Sequence, residues 1–515
     1  MKRSVRIALA VAVVAGVLAA RHFRDAPASP GESSRSSGHY RIPAAATAFR
    51  FGTLDFTACE LSQKRSAATT AAFCAPFEVP EDRANPDARR IALKLALIRS
   101  TEAADDDFIV FLAGGPGQSA VNAWPQVAAS LEPSRKRRHV LLLDQRGTGA
   151  SNPLECKSAD PVDEAAEYDP TSVTARAREC LDSLKDKADP RFYTTTEAVA
   201  DLEALRQALG APKFDLVGVS YGTRVAQQYL KRHPEGVRSI VLDSPVPNEL
   251  ALTADFAGNL DAALKAQFAG CQADAACAKA YPDPFADLLR LRDELRATPR
   301  TVSFADPVTF ERHERRLDGY GIAGLVRLYA YAPETAALIP LTVKQGLAGN
   351  FAPMMGQIDL MLQGVDELIG NGMQFSVMCG EDFDRLPAET GAANADSVLG
   401  SALVDAVRAQ CAVWPRGTRP ADFNEPARGD VPVLVLSGQL DPVTPPRYGE
   451  QIVRTLANAK LVVARGQGHS IMGRGCLPKV VGSFMDKLEP ATLDTECVAQ
   501  LGPVPHFLDF NGASP

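Results

Sequence analysis

The stretch Phe214-Asp-Leu-Val-Gly-Val-Ser-Tyr-Gly-Thr-Arg224 constrains this chain more than any other. A short apolar run enters Gly218-x-Ser220-x-Gly222 and leaves into Thr223–Arg232, whose composition is helical. A serine on a tight turn from strand to helix is held in a strained backbone conformation with its hydroxyl exposed. Glycines two residues before and after it let the arms of the turn close without Cβ clashes. The unpaired N–H groups that open the helix favour negative charge developing beside the serine. Ser220 is therefore the candidate nucleophile; the alternative, for a motif this short, is an ordinary turn.

Such a turn belongs in a sheet whose strands alternate with helices, and the alternation recurs. Phe108–Leu112, His139–Asp144, Val237–Asp243, Val431–Leu436 and Ala459–Ala464 are apolar runs of buried-strand length. Phe49–Phe56, Phe77–Pro80 and Arg90–Arg99 precede them, the last bracketed at strand length by Asp- and Asn-rich turns. Thr194-Thr-Thr-Glu197 fits a capping box for a helix that Gly210 closes. The fold class is α/β, a mostly parallel sheet with helices on both faces. After Pro247 the rhythm changes to helix-like segments such as Ala251–Lys279 and Pro284–Ala297. Residues 46–247 and 426–515 are thus read as the core, and 248–425 as an inserted helical cap or lid over the ligand face.

Lys2, Arg3 and Arg6 precede the apolar run Ile7–Ala20, the pattern of an export signal over residues 1–20. The run is short for a membrane span of about 20 residues, and an uncleaved anchor is the alternative. Residues 21–45 are rich in Ser, Pro, Ala and Gly and read as a disordered tether. An exported chain gives its ten cysteines a meaning as disulfides. Pairing nearest neighbours gives Cys59–Cys74, Cys156–Cys180, Cys271–Cys277, Cys379–Cys411 and Cys476–Cys497, although spacing alone leaves connectivity open. A net charge of -7 and a pI near 5.7 argue against a nucleic-acid partner. The basic run Arg135–Arg138 is read as a solvated loop.

A serine hydroxyl needs a base to take its proton and an acid to orient that base. Of seven histidines, His22 and His39 lie in the expected signal and tether, His139 begins a core strand, and His233 ends a helix. His313 is in a charged part of the insertion and His506 in the tail, which leaves His469, after a strand in a glycine-rich loop. Asp441 follows another core strand and is the candidate acid, with Asp243 as its competitor. The glycine cluster Ala113-Gly-Gly-Pro-Gly117 follows a strand and offers bare backbone N–H groups. An oxyanion needs such donors at roughly 3 Å, so Gly115 and Tyr221, the residue after the nucleophile, are the candidate oxyanion hole. Arg146 either braces these loops through a salt bridge or meets a substrate carboxylate.

Ala-Gly-Gly-Pro-Gly117, Asp-Gln-Arg-Gly-Thr-Gly149, Gly-Val-Ser-Tyr-Gly222, Ser-Gly-Gln-Leu-Asp-Pro-Val-Thr-Pro445 and Gly-Gln-Gly-His469 together resemble the prolyl-iminopeptidase/tripeptidyl-aminopeptidase family of α/β-hydrolases. The carboxy-terminal part is similar to the TAP-like region of its secreted members, and the resemblance runs from about Phe49 to about Val498. It implies an α/β-hydrolase fold, with Ser220 as nucleophile, Asp441 as orienting acid and His469 as base. It also implies release of one or a few residues from free peptide N-termini through an acyl-enzyme. The family's prolyl members begin the glycine motif with His where this chain has Ala113, so the tripeptidyl members are the nearer match. Such enzymes hold the substrate's ammonium group with acids of the cap, and Glu381 and Asp382 are similar in placement. The expectation is an exported, periplasmic or extracellular bacterial enzyme, monomeric, acting on peptides. It needs no metal or cofactor and meets no membrane beyond the possible anchor. A carboxylesterase on the same three residues is the alternative.

Overall fold

The computed structural model describes residues 40–62, 69–102, 107–156, 169–366 and 370–513, with the backbone alone for 363–366. The expected signal and the expected tether as far as His39 lie outside the described residues. The tether's last residues are not a tether. Tyr40 and Ile42 are buried, and the Tyr40 ring meets Phe51 and Phe108 edge-on at 5.2 and 4.5 Å. Apolar burial of two large side chains is enough to fix this segment to the fold.

Among the described residues the main sheet has ten strands. Four antiparallel ones lead in: β1 (Ala48–Phe51), β2 (Leu54–Ser62), β3 (Thr69–Pro80) and β4 (Arg90–Ile98). The run Phe49–Phe56 is therefore a hairpin, turned at Gly52 and Thr53, rather than one strand. β5 (Phe108–Leu112), β6 (His139–Leu143), β7 (Phe214–Val219), β8 (Val237–Asp243), β11 (Val433–Gly438) and β12 (Ala459–Ala464) are mutually parallel. Their spatial order is β6-β5-β7-β8-β11-β12, with the antiparallel β4 beside β6. The chain runs from β5 outward to β6, then crosses back to start β7 on β5's other side. A crevice opens outside the carboxyl ends of the strands where the order reverses, and ligands bind open α/β sheets there.

The parallel strands read as unbroken apolar runs because both faces are covered. Val110, Leu141 and Leu216 pack toward helices Thr195–Leu209 and Tyr221–Arg232. Their neighbours Ile109, Leu142 and Val217 pack toward helices Ala120–Leu131 and Leu477–Lys487. Thr194 caps the first of these helices and Gly210 ends it with φ +68°.

Between β8 and β11 lie helices including Phe256–Ala273, Pro284–Ala297, Gly319–Tyr329 and Ile339–Leu347. A two-stranded hairpin, β9 (Arg300–Ala305) with β10 (Arg312–Leu317), sits among them. This region has a core of its own around Leu264, Leu291, Ile322 and Val326. The long expected helix Ala251–Lys279 is two helices, broken where Asp274 leaves the helical conformation and caps the second. Each cysteine is bonded to its neighbour in the chain, as five disulfides.

Candidate active site

Ser220 sits between β7 and its helix at φ +53°, ψ −121°, a conformation that costs a non-glycine residue roughly 1–3 kcal/mol. The surroundings leave the chain no alternative. A Cβ on Gly218 would lie 2.5 Å from the Gly222 carbonyl oxygen, and one on Gly222 only 2.1 Å from that of Leu112. The Ser220 amide donates to the Asp243 carbonyl at 2.9 Å. Thr223 Oγ1 donates to the Ser220 carbonyl at 2.5 Å and accepts from the Val246 amide at 2.8 Å. The strained turn is thus held by both adjoining strands.

β11 and β12 are neighbours, so the loops that follow them meet. His469 Nδ1 lies 2.8 Å from Asp441 Oδ2. Asp441 also accepts from the amides of Val443 and Thr444 and from Thr444 Oγ1, each at 2.8 Å. Burial alone would push the Asp441 carboxyl up, but the imidazole and these donors hold it below its ordinary value. Burial likewise disfavours an imidazolium at His469, and the Asp441 charge outweighs it, leaving the pKa raised. Asp243, the competing acid, takes a different place. It accepts from the amides of Ile471 and Met472 at 2.9 Å and from Ser470 Oγ at 3.2 Å, anchoring the loop that carries His469. With Nδ1 engaged, Nε2 is the ring nitrogen left to exchange a proton.

Gly115, Ser220 and Tyr221 line one cavity of about 470 Å³ with Tyr331, Phe375, Val443 and Thr444. A Cβ on Gly114 would lie 3.2 Å from that of Ser220, so the glycine cluster packs directly against the serine. Gln118 Oε1 takes the Gly114 N–H at 3.1 Å. Gly115 follows at φ +106°, a conformation that glycine alone adopts easily. Tyr221 is the first residue of its helix, so its N–H has no acceptor within the helix. A strained serine, a carboxylate-bound imidazole, a glycine turn and a helix-opening amide are the parts that acyl transfer uses.

Residues 107–304 match the α/β hydrolase fold family, and residues 396–497 match the TAP-like protein family. The chain is an α/β-hydrolase with a TAP-like carboxy-terminal region, similar to tripeptidyl aminopeptidases and proline iminopeptidases. The serine protease Hip1 of Mycobacterium tuberculosis is 27% identical over 84% of this chain and 88% of its own length. The tripeptidyl aminopeptidase of Streptomyces lividans is 30% identical over 34% of this chain and 35% of its own. The solved proline iminopeptidase of Mycobacterium smegmatis is 17% identical, with a TM-score of 0.39 over 80% of this chain and 98% of that one. This α/β-hydrolase is a serine hydrolase.

Two acids of the segment between β8 and β11 take positions that the sequence does not reveal. Asp382 is buried and bonded to Arg224 Nη1 at 2.8 Å and Arg385 Nη2 at 2.7 Å, one oxygen to each. Glu381 is 1% exposed and accepts from the Thr195 amide at 2.6 Å and from Thr195 Oγ1 at 2.9 Å. Burial pushes the Glu381 carboxyl up to about 7 against the pull of the Arg224 charge. Neither acid is among the residues lining the cavity, and both are engaged within the protein, Glu381 with Thr195 and Asp382 with Arg224 and Arg385. The carboxylate among the described lining residues is that of Glu179, on helix Pro170–Leu184.

Glu381 instead reaches the site through a relay. Thr195 Oγ1 is 2.6 Å from the Tyr221 hydroxyl, to which Gln145 Nε2 donates at 3.1 Å. Arg146 is fully buried and makes paired 2.7 Å bonds to Asp201, so it is the loop brace of the two readings. Arg138, expected in a solvated loop, has a buried side chain 3.4 Å from Asp215 and 2.8 Å from Asp486.

Proposed function

We propose that this chain is a serine exopeptidase that removes short peptides or single residues from free peptide N-termini through an acyl-enzyme. In this reading Ser220 attacks the carbonyl as His469 takes its proton, and Asp441 holds and charges the imidazole. The amides of Gly115 and Tyr221 receive the oxyanion. His469 returns the proton to the leaving amine, and water then releases the acyl group. The observation that carries the reading is the 2.8 Å His469–Asp441 pair, buried on the same edge of the sheet as a serine whose backbone is strained outward. The names of the relatives, a serine protease and two aminopeptidase types, point to amide substrates.

A peptide's ammonium group needs a carboxylate, and Glu179 takes that part in the cavity wall. The five disulfides and the basic–apolar start of the chain favour an exported enzyme of the periplasm or medium. The test is labelling by a fluorophosphonate together with turnover of aminoacyl and tripeptidyl nitroanilides. Labelling and amide cleavage that both vanish in Ser220→Ala are expected. Rapid nitrophenyl ester cleavage with no amide cleavage would make the chain a carboxylesterase instead.

A further inference from the structure

Arg327 is a cation near the reacting groups that the chemistry above leaves unused. It lies on helix Gly319–Tyr329 and lines the cavity with Ser220 and Tyr331. Its guanidinium stands over the Phe256 ring, 5.1 Å from the centroid. Among the described residues it makes no hydrogen bond and no ion pair with a carboxylate. Arg146 pairs with Asp201, and Arg224 and Arg385 pair with Asp382; the other arginine of the cavity wall, Arg176, lies on helix Pro170–Leu184. Stacking on an aromatic face leaves the planar N–H fork of a guanidinium free for a bidentate oxyanion.

The position of this fork relative to the bond being cut follows from what its helix touches. The helix runs into Ala330-Tyr331. The Tyr331 carbonyl accepts the His469 amide at 2.7 Å, and the Tyr331 ring meets the imidazole edge-on at 5.0 Å. The end of this helix is therefore fastened to the base. In acyl transfer the base hands its proton to the leaving group, which must lie on the imidazole's side of the serine. Arg327 is also within electrostatic reach of His469, where its charge opposes protonation of the ring. A bare cation there works against the base unless an anion joins it.

We propose that Arg327 is a specificity residue that binds a carboxylate carried by the leaving group. That carboxylate is the free C-terminus of a short peptide or the acidic side chain of the residue after the cleaved bond. The inference rests on the acyl-transfer reading of Ser220 and His469, and it adds a preference for anionic leaving groups to it.

The test compares leaving groups that differ only in a carboxylate. Full-length chain is assayed on tripeptidyl 4-nitroanilide and 3-carboxy-4-nitroanilide, and on the matching nitrophenyl esters. The expected kcat/KM ratio favours the carboxylated partner about tenfold, expressed in KM and shrinking with added salt. In Arg327→Gln that ratio falls towards one, and Arg327→Lys keeps part of it. Peptides with free or amidated C-termini, and with Asp or Ala after the cut, separate the two sources of the carboxylate. A wild-type ratio of one, or a wild-type ratio surviving in Arg327→Gln, overturns the proposal. If the anilides are not cleaved at all the peptidase reading fails, and the ester pair still decides the role of Arg327.

Discussion

Glu381→Gln should flatten the pH dependence of stability. Glu381 is 1% exposed, and its carboxyl titrates at about 7 in the fold. Its ordinary value is near 4.5. Below pH 4.5 both folded and unfolded chains hold the proton. Between 4.5 and 7 the unfolded chain gives it up and the folded chain retains it, so this residue destabilises the fold as pH rises. The full window corresponds to on the order of 3 kcal/mol. Glutamine imitates the protonated acid. It keeps an oxygen for the Thr195 amide and offers an N–H to Thr195 Oγ1, so the relay to the Tyr221 hydroxyl survives. The assay is urea unfolding of wild type and variant from pH 4.5 to 8 with the disulfides intact. The variant should gain on wild type across that window, and the difference should level off above pH 7. Equal losses at every pH, or a difference that grows as pH falls, would refute the reasoning, because Glu381 would then act as a buried carboxylate.

Other outcomes follow from the same geometry. The acid limb of kcat/KM should report His469 with a pKa above the ordinary 6.5, activity appearing as pH rises through it. Asp441 and Asp243 both raise that value, while burial and Arg327 lower it, so Arg327→Gln should move the limb to higher pH. Asp441→Asn should lower kcat by about 10³–10⁴ while ligand binding in the cavity persists, measured by inhibitor affinity. Gly222→Ala forces a Cβ to 2.1 Å from the Leu112 oxygen, and should cost about 3 kcal/mol or more of stability in denaturant unfolding, since backbone on both sides must move. Removing Cys379–Cys411, which closes a separation of 32 residues, should cost roughly 3–4 kcal/mol in the same assay.

The parts of the site legible in the sequence are those whose chemistry is local. The elbow around Ser220 is written in its two glycines, because the clash each avoids lies within a few residues or on the next strand. Asp441 and His469 each follow a strand, and neighbouring parallel strands deliver both loops to one edge. The choice between Asp441 and Asp243 was not local. Asp243 ends one core strand and Asp441 closely follows another, and only the path of the loop around His469 decides which of them meets the imidazole and which anchors the loop.

Charge partners were the least legible feature. Asp382 reads beside Glu381 as an acid awaiting a substrate's ammonium group until Arg224, 158 residues away, is packed against it. Arg138 looks like part of a basic loop until Asp215 and Asp486 close over it. A side chain's sign says that it needs a partner, whereas tertiary packing says which one. Tyr40 is illegible for a related reason, since a polar, proline-containing neighbourhood hides one aromatic anchor.

The measurement that bears most directly on the proposed function is digestion of a mixed peptide library, with products read by mass spectrometry. Wild type should release short N-terminal pieces, acetylation of the peptide N-termini should stop the release, and Ser220→Ala should abolish it. Internal cuts that continue on acetylated peptides, or release that survives in Ser220→Ala, would contradict the account.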